Sequence, residues 1–149
     1  MSEHFAEISW KNIPNPVDEK TYNRNHQLSL SGNQQLEGSS APEYKGDPDR
    51  VDPEQLLVSA LASCHMLTFL AIAELKGYQV ETYDDKATGY LEKGDSGRPE
   101  VTRIALFPRI AFSGDKSPDA NEIKRMHASA HKNCFIANSI KTKVEVLEA

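Results

Sequence analysis

Only two cysteines, Cys64 and Cys134, occur in 149 residues. That is too few for a disulfide scaffold, so if they act they act as reactive thiols or metal ligands. Apolar residues are also scarce: 38% of the chain, still short of the roughly 45–50% of an average globular protein once glycines are added. One domain, residues 1–149, fits this length, and a chain this short of core commonly completes it by oligomerising, so a homodimer is expected. Basic excess is lacking as well. The 17 Lys and Arg face 22 Asp and Glu, for a net charge of -5, which leaves no stripe to release counterions from a phosphate backbone and argues against nucleic acid as partner. No uninterrupted apolar run approaches the ~18 residues of a membrane span, because Ala60 to Ala73 is broken by Ser63, Cys64, His65 and Thr68; no membrane partner is expected. The opening MSEHFAEISW carries acid where a secretion signal carries Lys or Arg and an apolar core, and a cytoplasmic protein is the expectation.

What is present is an ordered series of local signals. Alternation over His4–Trp10 and again over His26–Leu30 reads as two strands, separated by a turn that Pro14 and Pro16 force. Residues 38–52, rich in Ser, Pro, Gly and Asp, read as a loop long enough to cover something. Asp52-Pro53-Glu54-Gln55 combines a cap, a first-turn proline and a capping-box glutamine, so a helix should start at Pro53. It should end at Lys76 before Gly77, about 36 Å long, and its apolar residues cover more than one face, which predicts a central helix buried round most of its circumference. Tyr78–Lys93 and Glu100–Ser113 read as an antiparallel pair joined through Gly94–Gly97, with Pro108 marking an edge or bulge. Ser117-Pro118-Asp119 opens a helix to about His131, and Lys141–Leu147 reads as a closing strand. This order argues for an α+β fold.

Cys64 sits in the middle of the long helix, where a cysteine is either a small core residue or a thiol kept reactive by its surroundings. Three turns in, it lies beyond reach of the helix's positive end, so a thiolate there calls for a cation from elsewhere in the chain. Cys134 follows the second helix in His131-Lys132-Asn133-Cys134-Phe135, where Asn133 either ends that helix or caps a new turn. It is an ordinary loop cysteine or a thiol favoured by a helix start.

The segment DPEQLLVSALASCHMLTFLA resembles the signature of the OsmC/Ohr family, with Glu54 and Cys64 at the family's ten-residue spacing; HKNCFIANSI before the last strand is similar to the segment around its second thiol, and Tyr22-Asn23-Arg24-Asn25-His26 to its arginine-bearing loop. The resemblance implies an OsmC-like α+β fold, an intertwined homodimer with the long buried central helices packed between antiparallel sheets. It implies a cysteine-based peroxidase that reduces organic hydroperoxides or hydrogen peroxide without a bound cofactor. On that analogy Cys64 is the peroxidatic thiol, Cys134 the resolving thiol, Arg24 the activating cation and Glu54 the carboxylate that holds it. On the same analogy an external dithiol of lipoyl type would reopen the disulfide. Two positions depart from the family pattern: Phe135 stands where proline often follows the second cysteine, and Asp52 where asparagine is common. Arg50 is an alternative cation.

Ten residues of helix separate Glu54 from Cys64 by about 15 Å along the axis. Either the site is composite between two chains or Arg24 alternates between carboxylate and thiolate. Leu61, Met66, Leu67, Phe69 and Leu70 form either a greasy pocket wall, which would favour alkyl hydroperoxides, or core. Other chemistries compete. His127 and His131 share a helix face and could bind zinc with Cys134, Cys64 or His65. A fold of this kind could hold an apolar ligand beside Cys64 without turnover. A Cys64–His65 hydrolase is disfavoured, since helix neighbours point about 100° apart.

Overall fold

The computed structural model describes residues 1–148. These residues group into two compact units, Met1–Leu56 and Leu57 onward, with the boundary inside the long helix.

In the first unit β1 (Glu7–Ser9), β2 (His26–Ser29) and β3 (Gln35–Gly38) form an antiparallel sheet in that order. Leu28 sits opposite both Ile8 and Leu36, which sets the register on its one buried leucine. The alternation had marked β1 and β2 but not β3, which offers a single apolar residue and is held by its partner rather than by its own pattern. Between β1 and β2 the buried Asn15 pins the proline turn, donating from Nδ2 to Tyr22 O (3.1 Å) and Lys45 O (2.9 Å). The 38–52 loop contains a short 3-10 turn, Pro42–Tyr44.

The long helix, α1 (Pro53–Leu75), begins and ends as its sequence dictates. Asp52 Oδ1 accepts from Gln55 N (2.8 Å) while Asp52 N donates to Gln55 Oε1 (3.0 Å), the reciprocal capping box. At the far end Gly77 takes φ 79°, Tyr78 N donates to Ala73 O and Gly77 N to Glu74 O, a Schellman stop. Within the single chain its burial is partial. Only Leu61, His65, Phe69 and Ala73, one stripe at spacings of four, are fully buried, while Leu67 is 60% exposed and Leu75 88%. The single chain covers one face of α1 and leaves an apolar face open. By length and composition alone α1 is apolar enough to cross a membrane, with mean hydropathy 2.0 over its best window. A search for unbroken runs misses this because an average tolerates Ser63 and Thr68.

In the second unit the expected long hairpin is present but broken in two. Its first arm divides into β4 (Gln79–Asp85) and β5 (Thr88–Lys93), its second into β6 (Pro99–Leu106) and β7 (Pro108–Ser113). β5 pairs with β6, β4 with β7, in separate sheets. Pro108 has no N–H to continue the ladder, and Asp85 accepts from Phe107 N (2.7 Å) where the arm bends. α2 (Ala120–Asn133) starts one cap later than expected: Asp119, not Ser117, accepts from Glu122 N at 2.8 Å. The last strand, β8 (Lys143–Val146), pairs parallel with β6, against the expectation of purely antiparallel sheets. Two apolar clusters fill the unit. Leu61, Ile104, Leu106 and Cys134 form one; Phe69, Ala73, Met126 and Ala130 form the other.

Candidate functional site

Cys64, from the middle of α1, packs against the cluster that contains Cys134. Both thiols are free; Cys134 is fully buried and Cys64 partly exposed. α2 stops at Asn133, and Cys134 then caps a new turn: Asn138 N donates to Cys134 O (3.0 Å) and Ala137 N to Cys134 Sγ (3.4 Å). The first amides of such a turn have no partner within it. Here the Ile136 and Phe135 amides lie beside Cys64 and favour its thiolate, as does the neighbouring Cys134 thiol. Thr68, whose hydroxyl donates to Cys64 O at 2.8 Å, also lies beside that sulfur.

These contacts pull the two thiols apart. Burial works against ionising Cys64, but the Ile136 amide, the Cys134 thiol, the Phe135 amide and Thr68 outweigh it, and its pKa is lowered. Burial and the adjoining Cys64 raise that of Cys134, against the Ala137 and Ile136 amides. One sulfur is poised to be a thiolate and its neighbour to hold the proton. Donors missing from α1's own N-terminus thus come from the turn after Cys134. The turn amides favour both thiolates, but burial and the adjoining Cys64 leave the pKa of Cys134 raised.

Arg24 and Glu54 belong to the first unit. Arg24 donates to Thr21 Oγ1 (3.2 Å) and to Tyr22 O, and its guanidinium lies 3.7 Å above the Tyr22 ring. With Trp10, His26 and Pro53 it lines a cavity of about 500 Å³. Glu54 is in the first turn of α1, and no Arg24–Glu54 ion pair forms among the described residues. Arg50 pairs with Asp47 (3.6 Å) and donates to His26 O (3.4 Å). Of the apolar residues flanking Cys64 on α1, Leu61 and Phe69 are sealed in core and only Leu67 is largely exposed, so the five do not form one wall.

His65 does not turn to Cys64. Its Nε2 lies 3.0 Å from His127 Nδ1, the rings stack with centroids 5.3 Å apart, and Phe69 packs on His127 at 4.5 Å. Burial lowers both to about 4, with the charges of His127 and His131 adding to the effect on His65, so both rings are neutral near pH 7. This removes the geometry of a Cys64–His65 hydrolase. It also replaces the zinc set: His127 faces His65 rather than pairing with His131, and no three His, Cys, Asp or Glu side chains converge on a metal position among the described residues. The sequence had marked both rings as possible ligands; only tertiary packing made them a pair.

Residues 46–148 match the family described as OsmC-like protein. The chain is 39% identical to an OsmC-like protein of unknown function, VCA0330 from Vibrio cholerae, whose structure superposes with a TM-score of 0.91 over 100% of both chains. The organic hydroperoxide resistance protein OhrB of Bacillus subtilis shares the fold at 13% identity, TM-score 0.69, with 97% of this chain and 98% of that one covered. An uncharacterized protein of Bacillus subtilis, YmaD, is 25% identical over 130 residues, 85% of this chain and 86% of its own length.

Proposed function

Since this chain belongs to the OsmC-like protein family, we propose that it is a thiol-dependent peroxidase acting on organic hydroperoxides with Cys64 and Cys134. The observation that carries the proposal is that the fold brings the partly exposed Cys64 beside the buried Cys134, with the pKa of Cys64 lowered and that of Cys134 raised. Relatives of the same fold that are named for organic hydroperoxide resistance support the substrate class.

The Cys64 thiolate attacks the outer oxygen of ROOH. The O–O bond breaks, the sulfur becomes a sulfenic acid, and the departing alkoxide takes up a proton to leave as ROH. Cys134 then attacks the sulfenic sulfur, displacing water and forming the Cys64–Cys134 disulfide. An external dithiol, lipoyl-type in this proposal, reduces that bond by two exchange steps and leaves as its own disulfide. Arg24 would steady the thiolate and the developing alkoxide, and Glu54 would hold Arg24. Both come from the first unit, and a site composite between two chains or a swinging Arg24 would deliver them. A homodimer built on the open face of α1 around Leu67 and Ala71 would complete the core that composition leaves short. A cytoplasmic setting, with its reducing thiols, suits this cycle.

Peroxide consumption by wild type, Cys64→Ser and Cys134→Ser with a dithiol present tests the assignment. Activity should vanish in Cys64→Ser, and Cys134→Ser should accumulate a trappable sulfenic acid after one turnover. Undiminished turnover by Cys64→Ser would end the proposal.

A further inference from the structure

A second cavity, of about 490 Å³, lies between α2 and β8 and contains neither cysteine. Its size falls within the range of small-molecule sites, ~300–1,000 Å³. Pro108, Ile123, Val144 and Val146 give it an apolar body. Lys124, His127 and His131 gather polar groups along its α2 side, because positions three, four and seven apart share a helix face. Glu148 lies at the strand end.

His127 is the informative residue. It is only 8% exposed yet lines this cavity, and its Nε2 has no protein partner among the described residues. Behind it, His65 Nδ1 is buried with no hydrogen-bond partner among the described residues. The hydrogen bond between the rings allows two arrangements. If His127 Nδ1 donates, His65 is left with a sealed N–H that has no acceptor. If His65 Nε2 donates, His65 keeps only a bare lone pair, and the proton of His127, which lines the cavity, sits on Nε2. A buried orphan N–H is the rarer and costlier of the two. The buried pair therefore sets His127 as a hydrogen-bond donor toward the cavity, beside the ammonium of Lys124 and the imidazole of His131.

We propose that the cavity between α2 and β8 is a binding site for a carboxylate carried on an apolar body, its head on His127 Nε2–H and Lys124 and its tail against Val144 and Val146. Lys124, His127 and His131 share the α2 face of an otherwise largely apolar cleft, which fits an anionic acceptor, and Glu148, also lining it, disfavours a second negative charge. This site is independent of the thiol pair and of any peroxidase activity.

The test uses the whole protein and two probes of equal chain length, decanoate and 1-decanol, followed through the imidazole ¹⁵N signals. The free protein should show His127 protonated at Nε2. Decanoate should saturably shift His127 and His131, bind at least tenfold tighter than decanol, and weaken several-fold in the exposed-site variant Lys124→Ala, while Glu148→Gln should tighten it. His127→Phe should abolish the preference for the acid. Equal affinity for acid and alcohol, a proton on His127 Nδ1, or shifts confined to the open face of α1 would each overturn the proposal. So would a groove closed to decanoate because a second copy of the chain occupies it.

Discussion

Replacing Phe135 with proline isolates the most specific claim about the thiol pair. The side chain of Phe135 is 81% exposed, so little packing is at stake. Cys134, the residue before it, has φ -71° and ψ 118°, the extended region that a following proline demands. Proline is also at home in the first position of a turn such as this one, where the N–H has no partner within the turn. What the substitution removes is the Phe135 N–H, which favours the Cys64 thiolate. Hydrogen bonds to charged groups contribute about 1.5–3 kcal/mol; a partly exposed sulfur belongs at or below the lower end. At ~1.4 kcal/mol per factor of ten, the thiolate fraction of Cys64 near neutral pH should fall roughly five- to tenfold. Iodoacetamide alkylation of Cys64 against pH, in a Cys134→Ser background so that one thiol reports, reads this directly. Phe135→Ala, which keeps the amide, should match the parent. An unchanged or more reactive Cys64 in a folded Phe135→Pro protein would show that the turn amides do not stabilise its thiolate.

The buried imidazoles predict an acid-sensitive fold. Both pKa values are held at about 4 against an ordinary 6.5, so the unfolded chain binds more protons between those values. Stability should therefore be full above about pH 6.5 and be lost as pH falls toward 4. One such ring alone accounts for about 3 kcal/mol, and urea midpoints flat across that window would refute the pairing. Asp52→Ala removes the cap acceptor at α1 and should cost about 1 kcal/mol in the same urea assay; no loss would mean the box is dispensable. If the peroxidase proposal holds, kcat/KM for cumene hydroperoxide should exceed that for hydrogen peroxide, because the surroundings of Cys64 are apolar; equal constants would remove that preference.

Those elements whose hydrogen bonds close within a few residues were legible before any coordinates. The capping box at Asp52 and Gln55, the left-handed stop at Gly77, and the extents of α1 and α2 follow from contacts three to five positions apart. The two cysteines stood out by scarcity and by a family likeness. Tertiary structure decided the rest, because it depends on partners far along the chain. β3 exists through Leu28, the hairpin arms divide between sheets at Phe107 and Pro108, and β8 runs parallel to β6. His65 and His127, 62 residues apart, become one buried pair. No periodicity could reveal that the amides of Phe135 and Ile136 come to lie beside a sulfur some 70 positions earlier, since backbone donors look alike in every sequence until folding brings an acceptor to them.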